Sequence, residues 1–185
     1  MTGARARRGA RKTMPSNKRA PPRAVAIDLA IPCARWRRAV PKVATVATEA
    51  ARAALGQAGR SIRDAELSLV LADDVTVAGL NGRWRHRAGP TNVLAFPGGG
   101  RPDSAAPLLL GDVILAFETV AREAKEQGKT LPDHLRHLVI HGVLHLLGHD
   151  HEDAATARRM EATEKRILAL LGVADPYRLR EEAHG

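Results

Sequence analysis

Cysteine is almost absent: Cys33 stands alone in 185 residues. No internal disulfide can form, and there is no second thiol for a Cys-x-x-Cys zinc or redox site, which favours a reducing cytoplasm. Aromatic residues are scarce, with two Trp, two Phe and one Tyr. Base stacking, the sequence-tolerant grip on single strands, is therefore thin. No apolar run approaches the ~18 residues of a membrane span, so no membrane partner is expected. The apolar stretch from Ala24 to Ile31 is short and carries Asp28, unlike the core of a secretory signal. Acidic residues are missing from the first 24 positions, which hold eight bases: Arg5, Arg7, Arg8, Arg11, Lys12, Lys18, Arg19 and Arg23.

That last absence accounts for most of the net charge of +9. Outside the arm, 21 basic residues face 20 acidic ones among the 29 and 20 of the whole chain. The body is nearly neutral, and any nucleic-acid surface must come from local clusters rather than a global field. Residues 1–24 read as a disordered basic arm. An RNA-contacting tail, an over-long start with Met14 or a later codon as the true one, and a targeting segment are its three explanations, and we expect a dispensable tail. Residues 25–185 are long enough for one domain with a sizeable core, and the 44% apolar content fits a globular protein.

The most informative stretch is His141-Gly142-Val143-Leu144-His145-Leu146-Leu147-Gly148-His149-Asp150-His151. His141 and His145 lie four apart, one above the other on a helix face. Gly148 can take the left-handed conformation and end the helix. The chain then turns, and His151 can return toward the first two. Three imidazoles without a fourth protein ligand describe a zinc site with an open position, the catalytic arrangement. The competing reading is a set of core histidines. His137, His141, His145 and His149 also form a ladder at spacing four, so other pairs are possible. His149, beyond Gly148, should have left the helix face, and His137 sits a turn too early to share a metal with His151.

Along the chain, residues 24–30 alternate as a first strand. Arg35, Arg37 and Arg38 surround Trp36, which we expect in the core. Residues 40–58 read as a helix with Pro41 in its first turn. Residues 66–72 form a strand, and Asp73 caps a helix bearing Val77, Leu80 and Trp84 at near-helical spacing. Arg83, Arg85, His86 and Arg87 follow, ahead of a short strand at 93–96. Guanidiniums match phosphate oxygens in pairs, so this cluster reads either as a phosphodiester grip or as a solvated basic loop. Residues 98–107 are a Gly/Pro-rich loop, 109–116 a strand, and 117–127 an amphipathic helix. Thr130 to Asp133 opens the histidine helix with a capping-box pattern. That helix is apolar nearly all round and should be buried. Asp153 caps a last helix with Met160, Ile167, Leu168 and Leu171 inward.

The chain resembles the bacterial YbeY family of metal-dependent endoribonucleases. The resemblance rests on the histidine motif at 141–151, on Pro-Thr-Asn-Val-Leu-Ala-Phe-Pro at 90–97, on Leu110-Gly111-Asp112-Val113-Ile114, and on Ala-Arg-Glu-Ala-Lys-Glu-Gln-Gly at 121–128. It spans about residues 25 to 177. It implies an α+β fold, a small mixed four-stranded sheet packed by about five helices and related to zincins. It further implies His141, His145 and His151 as ligands of one Zn²⁺ per chain, with Arg85 as the other functional residue. The implied activity is single-strand-specific cleavage of RNA, in maturation of the 3′ end of 16S ribosomal RNA and in ribosome quality control. Departures are His149 where the family has Tyr, Ala95 where it has Ser, and Arg87-Ala88-Gly89 before Pro90. None removes a ligand, and the altered loop bears on substrate contact.

The general base is not evident in the sequence. Asp150, the nearest carboxylate, either takes that role or orients a ligand histidine. Two rivals remain. The spacing of His141, His145, Gly148 and His151 also matches the metzincin peptidase pattern, but Gly142 stands where those enzymes carry their basic Glu. A non-catalytic ribosome-associated factor with structural zinc is the third reading, opposed by the open fourth position.

Overall fold

A computed structural model describes residues 25–57, 62, 65–99, 107–149 and 153–177. The basic arm lies outside the described residues. The element order is β1 (Ala26–Ala30), α1 (Ala34–Ala39), α2 (Val43–Gln57), β2 (Ala65–Ala72), α3 (Asp74–Arg85), β3 (Val93–Pro97), β4 (Leu108–Ala116), α4 (Phe117–Glu126), α5 (Leu131–Leu146) and α6 (Ala154–Leu170). The α+β class and the four-stranded mixed sheet match expectation. Its order is β1-β2-β4-β3, with β1, β2 and β4 parallel and β3 antiparallel on the β4 edge.

Strand alternation sends side chains to two unequal cores. Leu67, Leu69 and Leu71 of β2 and Val113 and Leu115 of β4 face the larger one, with Ala47 and Ala50 of α2, Val139, Ile140 and Val143 of α5, and Ile167 and Leu168 of α6. The opposite face holds a small cluster: Ala72, Val77, Leu94, Ile114 and Ala116, flanked by Val70, Leu80 and Phe96. This cluster ends at Leu80. Trp84 shares the helical spacing of Val77 and Leu80 yet is 65% exposed.

The helices number six among the described residues, one more than expected. The extra one is α1. The stretch expected as one helix from residue 40 instead begins at Val43, and Pro41 lies in the turn before it, where Lys42 adopts φ +56°. Six residues with one buried side chain, Trp36, give too short a period to register as an amphipathic helix. Trp36 is fully buried, as expected, and its Nε1–H donates to the Ala72 carbonyl at 2.9 Å.

β4 carries a bulge: Glu66 pairs with Leu109 but Leu67 with Gly111, leaving Leu110 as the extra residue. Gly111 has φ +129°, and a Cβ there would lie 2.1 Å from the Phe96 carbonyl oxygen. Only glycine fits. The N-termini of α3 and α4 cap each other. The Asp74 carboxylate accepts from Thr119 N (3.0 Å) and Oγ1 (2.8 Å), while Glu118 Oε2 accepts from Asp74 N at 3.0 Å. That lock joins the starts of α3 and α4.

Candidate metal centre and cleft

Helix α5 is fixed at both ends by its own sequence. Thr130 Oγ1 accepts from Asp133 N at 3.2 Å and Pro132 sits in the first turn, where a missing N–H costs nothing. At the other end Gly148 takes φ +83°. Gly148 N donates to the His145 carbonyl (2.9 Å) and His149 N to the Leu144 carbonyl (3.0 Å), the paired bonds of a Schellman stop. His149 therefore follows the helix end, as expected.

His141 and His145 stand one turn apart, and their Nε2 atoms approach to 3.1 Å. Two nitrogens bound at ~2.0–2.1 Å to one tetrahedral ion are about 3.3 Å apart. The pair thus stands close to the separation a shared zinc ion requires, at a distance that a hydrogen bond between the two rings also spans, and two imidazoles suit zinc chemically. His137 is turned elsewhere. Its Nε2 lies 3.4 Å from Glu164 Oε2 and 3.3 Å from the Tyr177 hydroxyl, which separates it from the His141–His145 pair in the ladder. No group of three potential ligands gathers among the described residues. His151 and Asp150 lie outside them.

Gly142 faces the sheet. A Cβ there would meet Val113 Cγ1 at 2.6 Å and Cγ2 at 3.2 Å. The position that would carry the basic Glu of a metzincin has no room for a side chain.

Sequence reasoning missed the carboxylate behind the histidines. Glu164 is fully buried. Its Oε1 pairs with His141 Nδ1 at 2.7 Å, and Oε2 accepts from the Tyr177 hydroxyl. Burial pushes its pKa up, but the hydrogen bonds from His137, His141 and Tyr177 outweigh that and hold it at about 2. Burial also lowers the pKa of His137 against the pull of Glu164. The signal was available: Met160, Glu164, Ile167 and Leu168 share one stripe of α6, and a carboxylate on an apolar stripe needs a partner.

A parallel arrangement sits at α4. Glu123 accepts from His134 Nε2 (2.9 Å) and from Asn92 Nδ2 (2.9 and 3.2 Å), while Asn92 Oδ1 accepts from Val93 N at 2.7 Å. This set anchors the start of β3 to α4 and α5. Together Asn92, Glu123, His134, His137, His141 and Tyr177 line a cleft of about 540 Å³.

Arg85 is the last residue of α3 and is exposed. It is not part of the lining of that cleft. The loop after it is shaped by buried Asn81, whose Nδ2 donates to the Gly89 carbonyl at 2.9 Å. Arg83 and Arg87 are exposed beside it.

Comparison with known proteins gives the family of this chain. The model of the family described as Endoribonuclease YbeY matches residues 31–172. An Endoribonuclease YbeY of Paramagnetospirillum magneticum is 54% identical over 157 residues, covering 83% of this chain and 94% of that protein. One of Azorhizobium caulinodans is 48% identical over 157 residues, covering 84% and 98%. The solution structure of a Thermotoga maritima protein superposes with a TM-score of 0.51 at 22% identity, covering 85% of this chain and 93% of that one, a likeness of fold. By the family match and the identities to these relatives, the chain belongs to the endoribonuclease YbeY family.

Proposed function

We propose that this chain is a zinc-dependent endoribonuclease that cuts single-stranded RNA in the maturation of 16S ribosomal RNA and in ribosome quality control, in the cytoplasm. The observation that carries the metal half is the 3.1 Å approach of the His141 and His145 Nε2 atoms. The nuclease half is carried by membership of a family whose relatives are named endoribonucleases. Relation to zincins is part of the proposal, supported by a His-x-x-x-His helix packed on a mixed sheet.

His141, His145 and His151 would hold the ion, one per chain. When bound there, zinc supplies a water with its pKa lowered toward ~7 and an electrophile for a phosphoryl oxygen. The chain's own residues do the rest. Arg85 would take charge on the non-bridging oxygens of the phosphodiester. The exposed indole of Trp84, beside Arg83, Arg85 and Arg87, offers one stacking face next to guanidiniums, which suits an unpaired strand. Asp150 would serve as general base or as an orienting carboxylate. Glu164 already occupies His141 Nδ1, so an orienting Asp150 would serve His145 or His151 instead. The peptidase reading gains nothing, because Gly142 lies against Val113.

The test uses purified protein with single-stranded RNA, duplex RNA and casein, each with and without chelator. We expect cleavage of the single strand alone, abolished by chelator. His145→Ala should lose both zinc and cleavage. Arg85→Ala should keep zinc and lose cleavage by ~10²- to 10³-fold. Cleavage by the zinc-free His145→Ala protein would overturn the proposal.

A further inference from the structure

We propose that Glu164 is the positioning residue of the metal centre, fixing the tautomer of His141 so that its Nε2 lone pair faces His145, and that Tyr177 and His137 hold Glu164 in place. This rests on the reading of His141 as a ligand.

A carboxylate can only accept hydrogen bonds. At 2.7 Å from Glu164 Oε1, His141 Nδ1 must therefore carry the proton. In the neutral ring that leaves the lone pair on Nε2, the atom that lies 3.1 Å from His145 Nε2. A neutral imidazole in this tautomer is ready to coordinate through Nε2 without a proton rearrangement.

Glu164 is itself immobilised. Oε2 takes the Tyr177 hydroxyl and lies 3.4 Å from His137 Nε2. The His137 Nδ1 atom is buried without a hydrogen-bond partner. A bare lone pair is tolerated there more readily than an orphaned N–H, so the proton belongs on Nε2, aimed at Glu164 and Tyr177. Tyr177 belongs to the segment after α6. A turn pins it: Tyr177 N donates to Asp175 Oδ1 at 2.9 Å, and Asp175 is paired with Lys165 at 3.0 Å. The described end of the chain thus closes over a carboxylate with no exposure to water. Three helical residues and one from the tail form a single chain of bonds that ends at His141 Nε2.

Two measurements test this. The first is two-bond ¹H–¹⁵N correlation of the histidine rings in metal-free protein near pH 8. We expect His141 as the Nδ1–H form in wild type and the Nε2–H form in Glu164→Met. The second is zinc affinity by competition with a chromophoric chelator. Glu164→Gln should bind zinc 10- to 100-fold more weakly. Tyr177→Phe, which removes one oxygen near the surface and spares the fold, should fall between it and wild type. His141 as Nε2–H in metal-free wild type would overturn the positioning role. So would unchanged zinc affinity in both Glu164→Gln and Tyr177→Phe. Wild type that shows the Nδ1–H form but binds no zinc would overturn the metal reading instead.

Discussion

Replacing Gly142 by Ala separates two opposed effects at a residue of α5 that lies between His141 and His145. An alanine in a helix interior is favoured over glycine by about 1 kcal/mol, which would stabilise α5. The added Cβ, however, would sit 2.6 Å from Val113 Cγ1, roughly 1 Å inside the ~3.5–4.0 Å of a carbon–carbon contact. Val113 is fully buried and its methyls cannot swing into solvent. Overpacking of this kind costs about 1–3 kcal/mol, and so deep an overlap belongs at the upper end. The net expectation is a loss of about 1–2 kcal/mol, or a melting temperature lower by roughly 2–8 °C for a domain of this size. The sign should reverse in a Val113→Ala background, where the obstructing methyls are gone and only the helix preference remains. A thermal melt of the two single variants and the double variant gives a coupling of about 1–3 kcal/mol. A Gly142→Ala protein that melts higher than wild type would refute the close approach of α5 to β4. It would also reopen position 142 to a larger residue such as the metzincin glutamate.

The remaining expectations concern single contacts. The Glu123 carboxylate is depressed below 4.5: burial pushes it up, but hydrogen bonds from His134 and Asn92 outweigh burial. A depressed carboxylate contributes stability above pH 4.5 that is lost as pH falls through its folded value. Glu123→Gln should flatten the acid limb of urea midpoints below about pH 4.5, and an unchanged limb would count against the pairing. Trp36→Phe removes the donor to the Ala72 carbonyl and should cost about 1–3 kcal/mol in urea unfolding; an unmoved midpoint would show that bond to be idle. The family match begins at residue 31, so deleting residues 1–22 should leave the melting temperature unchanged, and a drop of several degrees would show that the arm packs.

Much of the architecture was legible in the sequence because its signals are local. The α5 stop could be read from Gly148, and the caps at Thr130 and Asp153 from their side chains. All four strands were readable from apolar runs bounded by turns, with ends off by one or two residues. What escaped was tertiary. α1 is too short to show a period, and its one core residue is visible only once Trp36 meets Ala72 and Phe117. Trp84 follows the helical stripe of Val77, but the cluster that would cover it stops at Leu80. The site divided along the same line. His141 and His145 lie four apart in sequence, so their convergence was readable. Glu164 is 23 residues away from His141, on a different helix, and spacing says nothing about such a pair.

The burial of Glu164 also explains why α5 can be both a core helix and a functional one. Its sheet-facing side holds Val139, Gly142 and Val143, and the gap left by Gly142 lets β4 approach closely. Its other side carries His134, His137 and His141, each with a ring nitrogen 2.7 to 3.4 Å from a carboxylate oxygen of α4 or α6. Imidazoles in so apolar a helix would be costly unless paired. Glu123 and Glu164 remove that cost and, in doing so, choose which nitrogen of each ring carries a proton. Stability and chemistry therefore ask the same thing of this helix. The pairing that lets His141 sit half-buried in the core is the pairing that turns its Nε2 toward His145.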